Sequence, residues 1–331
     1  MISAVKPADP TPQEAINGAR KPLLGITKGR ITAPPRILCY GPEGVGKSTL
    51  GSKAENPIFL CREAGTEQLP VDRLPEATMW RDAPPDSDGI KRDVISLTDS
   101  LRFGEHDYRT LVVDTLDWLE PLLFQYICHS GPKKVESIVL AYGGYGKGYE
   151  VAINEWRSWL AQLDALRRER GMTILLLAHS HIKSFNNPEG ENYDRYQLKM
   201  NEKGAGILKE WSDAVLFAHQ MVHAAGKETH EKKKFGVSDQ VRYLFTQRRP
   251  AWDAKNRFGL PEQMPLSWPD LMGSIRIKSP QNVDALVAHA KEAAALLNGE
   301  NQKDALAAVD RAGRDPEKLA ILINWIQSQA T

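Results

Sequence analysis

The chain has 331 residues, enough for one large α/β core with an appendage. Its 43 lysines and arginines against 42 acids leave a net charge of +1, so there is no bulk positive field and any nucleic-acid surface must come from local clusters. Three widely spaced cysteines, Cys39, Cys61 and Cys128, two of them in apolar runs, read as reduced core residues and not as a disulfide framework or a zinc site.

Residues 1 to 30 are polar, contain Pro and Gly, and carry Lys21, Lys28 and Arg30 near their end, the composition of a mobile arm. Met1 to Pro12 holds Pro and charge where a signal peptide has an apolar core. No run approaches membrane-spanning length, so a cytoplasmic protein without a membrane partner is expected. A core then spans residues 31–272 and opens with Ile37-Leu38-Cys39-Tyr40, a buried strand.

Directly after it, Gly41, Pro42, Glu43, Gly44, Val45, Gly46, Lys47, Ser48 and Thr49 fit G-x-x-x-x-G-K-[ST]. The glycines let backbone N–H groups turn inward around a polyphosphate. Lys47 supplies a point charge for the β- and γ-phosphates, and the Ser48 hydroxyl can join a Mg²⁺ shell. A complete pattern between a strand and a helix start predicts a site for a nucleoside triphosphate, ATP with Mg²⁺.

Asn56 to Cys61 reads as a second strand ending at Arg62-Glu63, and Asp82 to Gly89 has loop composition. Asp107 to Asp114 reads as a third strand closing on an acid, and Val151 to Arg170 repeats Trp156, Trp159, Leu160, Leu163 and Leu166 at helical spacing. Met172 to Ala178 is continuously apolar, as a strand covered on both faces must be. Alternating strands and helices predict a doubly wound, mostly parallel twisted sheet of the α/β class. A strand follows at Val241 to Thr246. Residues 273–331 turn Ala- and Leu-rich and predict a small helical tail, with helices at Val283–Leu297, Ala305–Ala312 and Glu317–Gln327 and Pro316 at a helix start.

Asp114 stands where a strand-end acid orients Mg²⁺ opposite Ser48, although it could instead cap the next helix. Glu63 lies at the carboxyl edge of the sheet, where it could polarise a water attacking the γ-phosphate or merely form a loop salt bridge. His179 and His181 end a strand; no nearby Cys or acid completes a metal shell around them. The loop from Lys183 to Gly206 interleaves Phe185, Tyr193 and Tyr196 with Lys183, Arg195, Lys199 and Lys203, the pattern of a single-strand site in which bases stack on rings and cations follow phosphates. Tyr142, Tyr145 and Lys147 in a Gly-rich turn form a second candidate, or a turn whose tyrosines pack on the protein. Lys232 to Lys234 reads as a solvated face.

Gly41 to Ser48, Cys61 to Gly65, Leu111 to Asp114, Leu176 to Lys183 and Glu210 to Leu216 together resemble the RecA-like recombination ATPases, and more narrowly a phage group of RecA-like single-strand annealing ATPases. Lys255-Asn256-Arg257-Phe258-Gly259 is similar to the KNRFG motif of the bacterial RadA branch-migration ATPase. The resemblance spans about Ile31 to Leu266 and implies a RecA-like P-loop NTPase core. It implies Glu63 as catalytic base, His179 or His181 as γ-phosphate sensor, and Lys255 and Arg257 as cations reaching the nucleotide of a neighbouring subunit.

The implied protein is a phage-encoded, DNA-dependent ATPase in the host cytoplasm. It forms a homo-oligomeric ring or filament on single-stranded DNA, with a single-strand binding protein as accompanying partner, and promotes annealing or strand exchange. A Cys-free arm and a short helical tail stand where RadA carries a zinc module and a protease-like domain, so the compact phage ATPases are expected to be the nearer match. A nucleotide-gated loader is the alternative. A P-loop small-molecule kinase stands behind both, because no Arg-rich lid is visible.

Overall fold

The computed structural model describes residues 33–62, 64–225, 235–277, 280–295, 297, 299–313, 318–319, 322–323 and 326. The arm to residue 30, Glu63, Lys232 to Lys234 and Pro316 lie outside the described residues. The ladder begins with β1 (Arg36–Gly41), α1 (Lys47–Ser52), β2 (Pro57–Cys61), β3 (Asp72–Arg73), α2 (Val94–Phe103), β4 (Thr110–Asp114), α3 (Leu116–Ser130) and α4 (Lys147–Arg170). It continues through β5 (Thr173–Phe185), β6 (Tyr193–Leu198), α5 (Glu202–Trp211), β7 (Ala214–Ala225), β8 (Phe235–Phe245), β9 (Lys255–Asn256), β10 (Gln263–Pro265) and α6 (Trp268–Ile277). Helices α7 (Pro280–Ala295) and α8 (Gly299–Ala312) follow.

One sheet runs β10-β8-β7-β1-β5-β4-β2-β3, with β6 added to β5 and β9 to β7. Its centre is parallel: β1 pairs with β5 and β7, and β4 with β5 and β2. The flanking β8, β9 and β10 are antiparallel. Strand β5 thus separates the P-loop strand from the strand ending at Asp114, and the architecture is the expected RecA-like P-loop α/β core.

Period-two side-chain alternation divides the sheet into two packed faces. Leu38, Tyr40, Leu60, Val113, Leu176 and Phe217 meet α2, α3, α4 and α5 on one side. Ile37, Cys39, Phe59, Val112, Leu177 and Leu216 meet α1 and α6 on the other. Covering both faces forces the central strands to be apolar throughout, which is why they read as continuous hydrophobic runs. Against the first face, Trp80, Trp156 and Trp159 pack with ring centroids 5.1–5.8 Å apart. The Trp159 indole donates to Thr98 Oγ1 at 3.1 Å and the Trp80 indole to Glu155 Oε2 at 3.1 Å, so neither ring leaves its N–H unpaired in the core.

The expected loop from Lys183 to Gly206 is corrected. Strand β5 continues past Ala178 to Phe185, turns, and pairs with β6, and α5 then starts at Glu202. Ile182-Lys183-Ser184-Phe185 and Tyr193 to Leu198 lack the apolar alternation of a half-buried strand, which is why they read as loop. Strand β8 also extends well before the expected Val241. Among the described residues no helix is long and apolar enough to cross a membrane.

Glu120 is an unusual core residue. It is buried on α3 and accepts the Asn201 N–H at 3.0 and 3.2 Å, holding the start of α5. Burial first, then the neighbouring Asp117, pushes its carboxyl from 4.5 up to about 7, with the Asn201 bond opposing. A raised folded-state pKa stabilises the protonated form, so this contribution is full below the unfolded value and is lost as pH rises through about 7. The shift corresponds to roughly 3 kcal/mol.

Two outcomes are expected. In urea unfolding at a series of pH values, the stability of wild type relative to Glu120→Gln falls by about 2–3 kcal/mol between acidic and mildly alkaline buffer. A flat difference would mean that Glu120 does not titrate there. Trp159→Ala, which empties the centre of the indole cluster, lowers stability by about 3–5 kcal/mol in the same assay.

Candidate nucleotide site

Strand β1 carries the chain to the carboxyl edge of the sheet, and the P-loop turns there into α1. Gly44 and Gly46 adopt φ of 73° and 104°, conformations that side-chain-bearing residues rarely take. Gly41 is a glycine for another reason: a Cβ there would stand 2.1 Å from the Ala218 carbonyl oxygen of β7. Lys47 is buried, and its ammonium donates to the carbonyls of Gly41 at 3.0 Å and Pro42 at 2.9 Å, bridging the loop across its mouth. Beneath it, burial pushes the Cys39 thiol up to about 12 against the opposing charge of Lys47, so this cysteine is an inert core group.

Asp114 ends β4 with 4% exposure. Val113 is level with Leu176, which is level with Leu38, so the acid lies two strand spacings, about 10 Å, from the P-loop strand. Ser48 in the first turn of α1 and the Asp114 carboxylate are hard oxygen donors, a set that fits Mg²⁺. Among the described residues no cluster of His, Cys, Asp and Glu forms another metal site.

His179 pairs with Gly41 in the parallel ladder, which sets it beside the P-loop. Its Nδ1 lies 2.9 Å from Asp117 Oδ2, and its backbone N–H donates to Asp117 Oδ1 at 2.9 Å. Burial alone would raise the Asp117 carboxyl; the ring and backbone bonds from His179 outweigh it and hold the carboxyl low. The ring is therefore fixed through one nitrogen. His181 lies two residues beyond the edge, its pKa lowered by burial and by Lys183 and Lys199.

On the far side of α1, a cleft of about 210 Å³ is lined by Thr49, Lys53, Leu266, Trp268, Pro269 and Arg242. Arg242, from β8, approaches so closely that a Cβ on Gly46 would stand 2.9 Å from its Nη1. Sequence reasoning missed this guanidinium, whose only signal is a cation inside the apolar run of β8. It also assigned Asp117 no part in the site.

The residues expected to meet DNA separate into two groups. Lys183, Lys199 and Lys203 are exposed, and Phe185 stacks near Tyr193 with centroids 5.3 Å apart at the hairpin end. Lys183 pairs with Glu202, and Lys199 with Glu43 of the P-loop at 3.3 Å. Arg195 instead points inward, 4% exposed, paired with Asp253 and lying under the Phe185 ring. Tyr196 packs 5.0 Å from Phe217. Lys183 and Arg195 are cross-strand partners, and the ion pair with Asp253 and the ring contact with Phe217 are what hold Arg195 and Tyr196 against the protein. In the Gly-rich turn, Tyr145 is 99% exposed, whereas Tyr142 packs on Gly131 and bonds Ser130 at 3.2 Å; Lys147 begins α4.

Lys255 and Arg257 sit at the opposite end of the sheet. Lys255 pairs with Val215 in β7, next to Ala214, whose partner Ile37 lies four residues, about 13 Å, before Gly41. The Lys255 ammonium donates to the Lys209 and Glu210 carbonyls that end α5, at 3.0 and 2.7 Å, and burial followed by Arg257 lowers its pKa. Arg257 is 3.3 Å from Asp213 and half exposed. Neither residue faces the P-loop of its own chain.

The chain is similar in structure to a RadB recombinase crystal structure, with a TM-score of 0.33, 12% identity, and coverage of 68% of this chain and 91% of that one. No curated protein matches it. Residues 33–258, from the lead-in to β1 through the Lys255–Arg257 segment, match the AAA domain family, and the chain belongs to that family.

Proposed function

We propose that the protein is a DNA-dependent, RecA-like ATPase that assembles as a ring or filament on single-stranded DNA and promotes annealing or strand exchange. One observation carries the reading. The strand that sets His179 beside Gly41 continues without a break into the hairpin bearing Lys183, Phe185 and Tyr193, so phosphate and single-strand surfaces share one element.

In this reading the P-loop amides and Lys47 hold the triphosphate, and Lys47 exchanges its two carbonyl partners for phosphate oxygens. Ser48 and Asp114 would hold Mg²⁺, which would supply charge neutralisation for the phosphates. Glu63 takes the proton of the attacking water, and His179, held through Nδ1, meets the γ-phosphate with its other ring nitrogen. The cleft beside Thr49 receives the nucleoside, with Trp268 and Pro269 as apolar wall and Arg242 as polar contact. Lys255 and Arg257, remote from their own P-loop, act on the nucleotide of an adjacent subunit. Single-stranded DNA follows Lys183, Lys199, Lys203 and Lys147 and stacks on Phe185, Tyr193 and Tyr145, in the host cytoplasm of a phage-encoded system with a single-strand binding protein alongside.

ATP hydrolysis measured with and without single-stranded DNA tests the reading. Strong stimulation is expected, Lys47→Ala abolishes turnover, and Glu63→Gln binds ATP without hydrolysing it; wild-type turnover in Glu63→Gln would move the base elsewhere. Binding measured across a salt series tests the surface. Tyr145→Ala and Tyr193→Ala each weaken it by about 1–3 kcal/mol with an unchanged salt slope, and Lys183→Ala and Lys203→Ala flatten the slope. Arg195→Ala, by contrast, lowers stability and leaves the slope alone.

A further inference from the structure

Helix α3 begins two residues after Asp114 and presents two buried acids one turn apart. Asp117 takes the backbone N–H and the ring of His179 at the end of the core part of β5. Glu120 takes the Asn201 N–H at the start of α5. Between these points the Lys199 N–H donates to the His179 carbonyl at 2.9 Å, so the return of β6 and the entry to α5 hang on the same corner. A third tie, Glu43 to Lys199, joins the P-loop directly, but both side chains are more than half exposed. Such pairs contribute about 0–1 kcal/mol, whereas buried acceptors of backbone N–H groups are costly to lose. The two acids of α3 therefore dominate the connection.

We propose that Asp117 and Glu120 are positioning residues that transmit the nucleotide state of the P-loop edge to the β5–β6 hairpin and α5. The inference rests on the nucleotide-binding part of the function above and needs no DNA. A nucleotide that draws on Ser48 and Asp114 acts on the start of α3. Because α3 is a rigid element, displacement of its first turn moves both acceptors together, and with them the strand end and the helix start they hold. Neither acid touches the triphosphate.

Hydrogen–deuterium exchange on the full chain, with and without a non-hydrolysable ATP analogue and Mg²⁺, tests this, with affinity followed by a fluorescent analogue. In wild type the analogue slows exchange across residues 193–211 by about threefold or more. Asp117→Ala and Glu120→Ala lose that nucleotide-dependent difference while binding the analogue within about threefold of wild type. Glu120→Gln, whose carboxamide oxygen still accepts the Asn201 N–H, retains it. A merely structural role would speed exchange equally in both states and leave the difference intact.

Should the alanine variants not fold, Gly204→Ala takes their place. Its Cβ would stand 3.3 Å from Glu120 Oε1 and 3.1 Å from the Trp156 indole nitrogen, and it reduces the difference by pressing on the clamp. Bound analogue with no change at 193–211 in wild type overturns the proposal, as does an unchanged difference in the alanine variants. Failure of wild type to bind the analogue overturns the nucleotide reading itself, and this inference falls with it.

Discussion

Strand β1 has no free side, and the nucleotide edge depends on that. It is hydrogen-bonded to β5 and β7 and covered on both faces by fully buried side chains. The P-loop is therefore anchored at its base to a strand paired on both sides and covered on both faces, and strand registry sets where it turns. The absence of a Cβ at Gly41, which lets β7 approach to the Ala218 carbonyl, belongs to the same constraint. The first glycine of the motif serves the sheet, while Gly44 and Gly46 serve the turn.

The two ends of the sheet carry different chemistry. At the carboxyl edge, Lys47, Asp114, Asp117 and His179 are buried or nearly so, and each cation or ring has a defined acceptor. At the other end, Arg36 lies 2.7 Å from Asp213 and 3.3 Å from Asp164, Arg167 flanks both acids, and Arg257 joins Asp213 from outside. Burial raises the Asp213 carboxyl, but the Arg36 bonds outweigh it and keep it low. Three guanidinium groups on two carboxylates leave an excess positive charge where the chain presents Arg257 to solvent.

Much of this was legible in the sequence wherever one physical rule governs. The P-loop follows from glycine conformation, the central strands from two-sided burial, and α4 from its tryptophan spacing. The hairpin was not legible, because Tyr193, Arg195 and Gln197 alternate with Asp194, Tyr196 and Leu198, so each side of the strand mixes a ring with polar groups and no apolar face stands out. Arg195 shows the cost of reading composition alone: a cation among aromatic rings suggested phosphate, yet its partner Asp253 lies 58 residues away in sequence. Arg242, Asp117 and Glu120 escaped for the same reason. Each acts through a partner on another element, and one-dimensional spacing does not encode that proximity.

Strand β5 spans 13 residues, or roughly 43 Å, and only its first half is clamped inside the sheet. From His179 to Phe185 it runs about 20 Å as one arm of a two-stranded ribbon. The ribbon is propped along its length, because Arg195 pairs with Asp253, the Tyr196 N–H donates to the Ala251 carbonyl at 2.8 Å and the Tyr196 ring lies on Phe217. Motion beside the P-loop therefore meets a second support before it reaches the tip at Phe185 and Tyr193, and the stiffness of the ribbon is shared between its cross-strand pairs and those props.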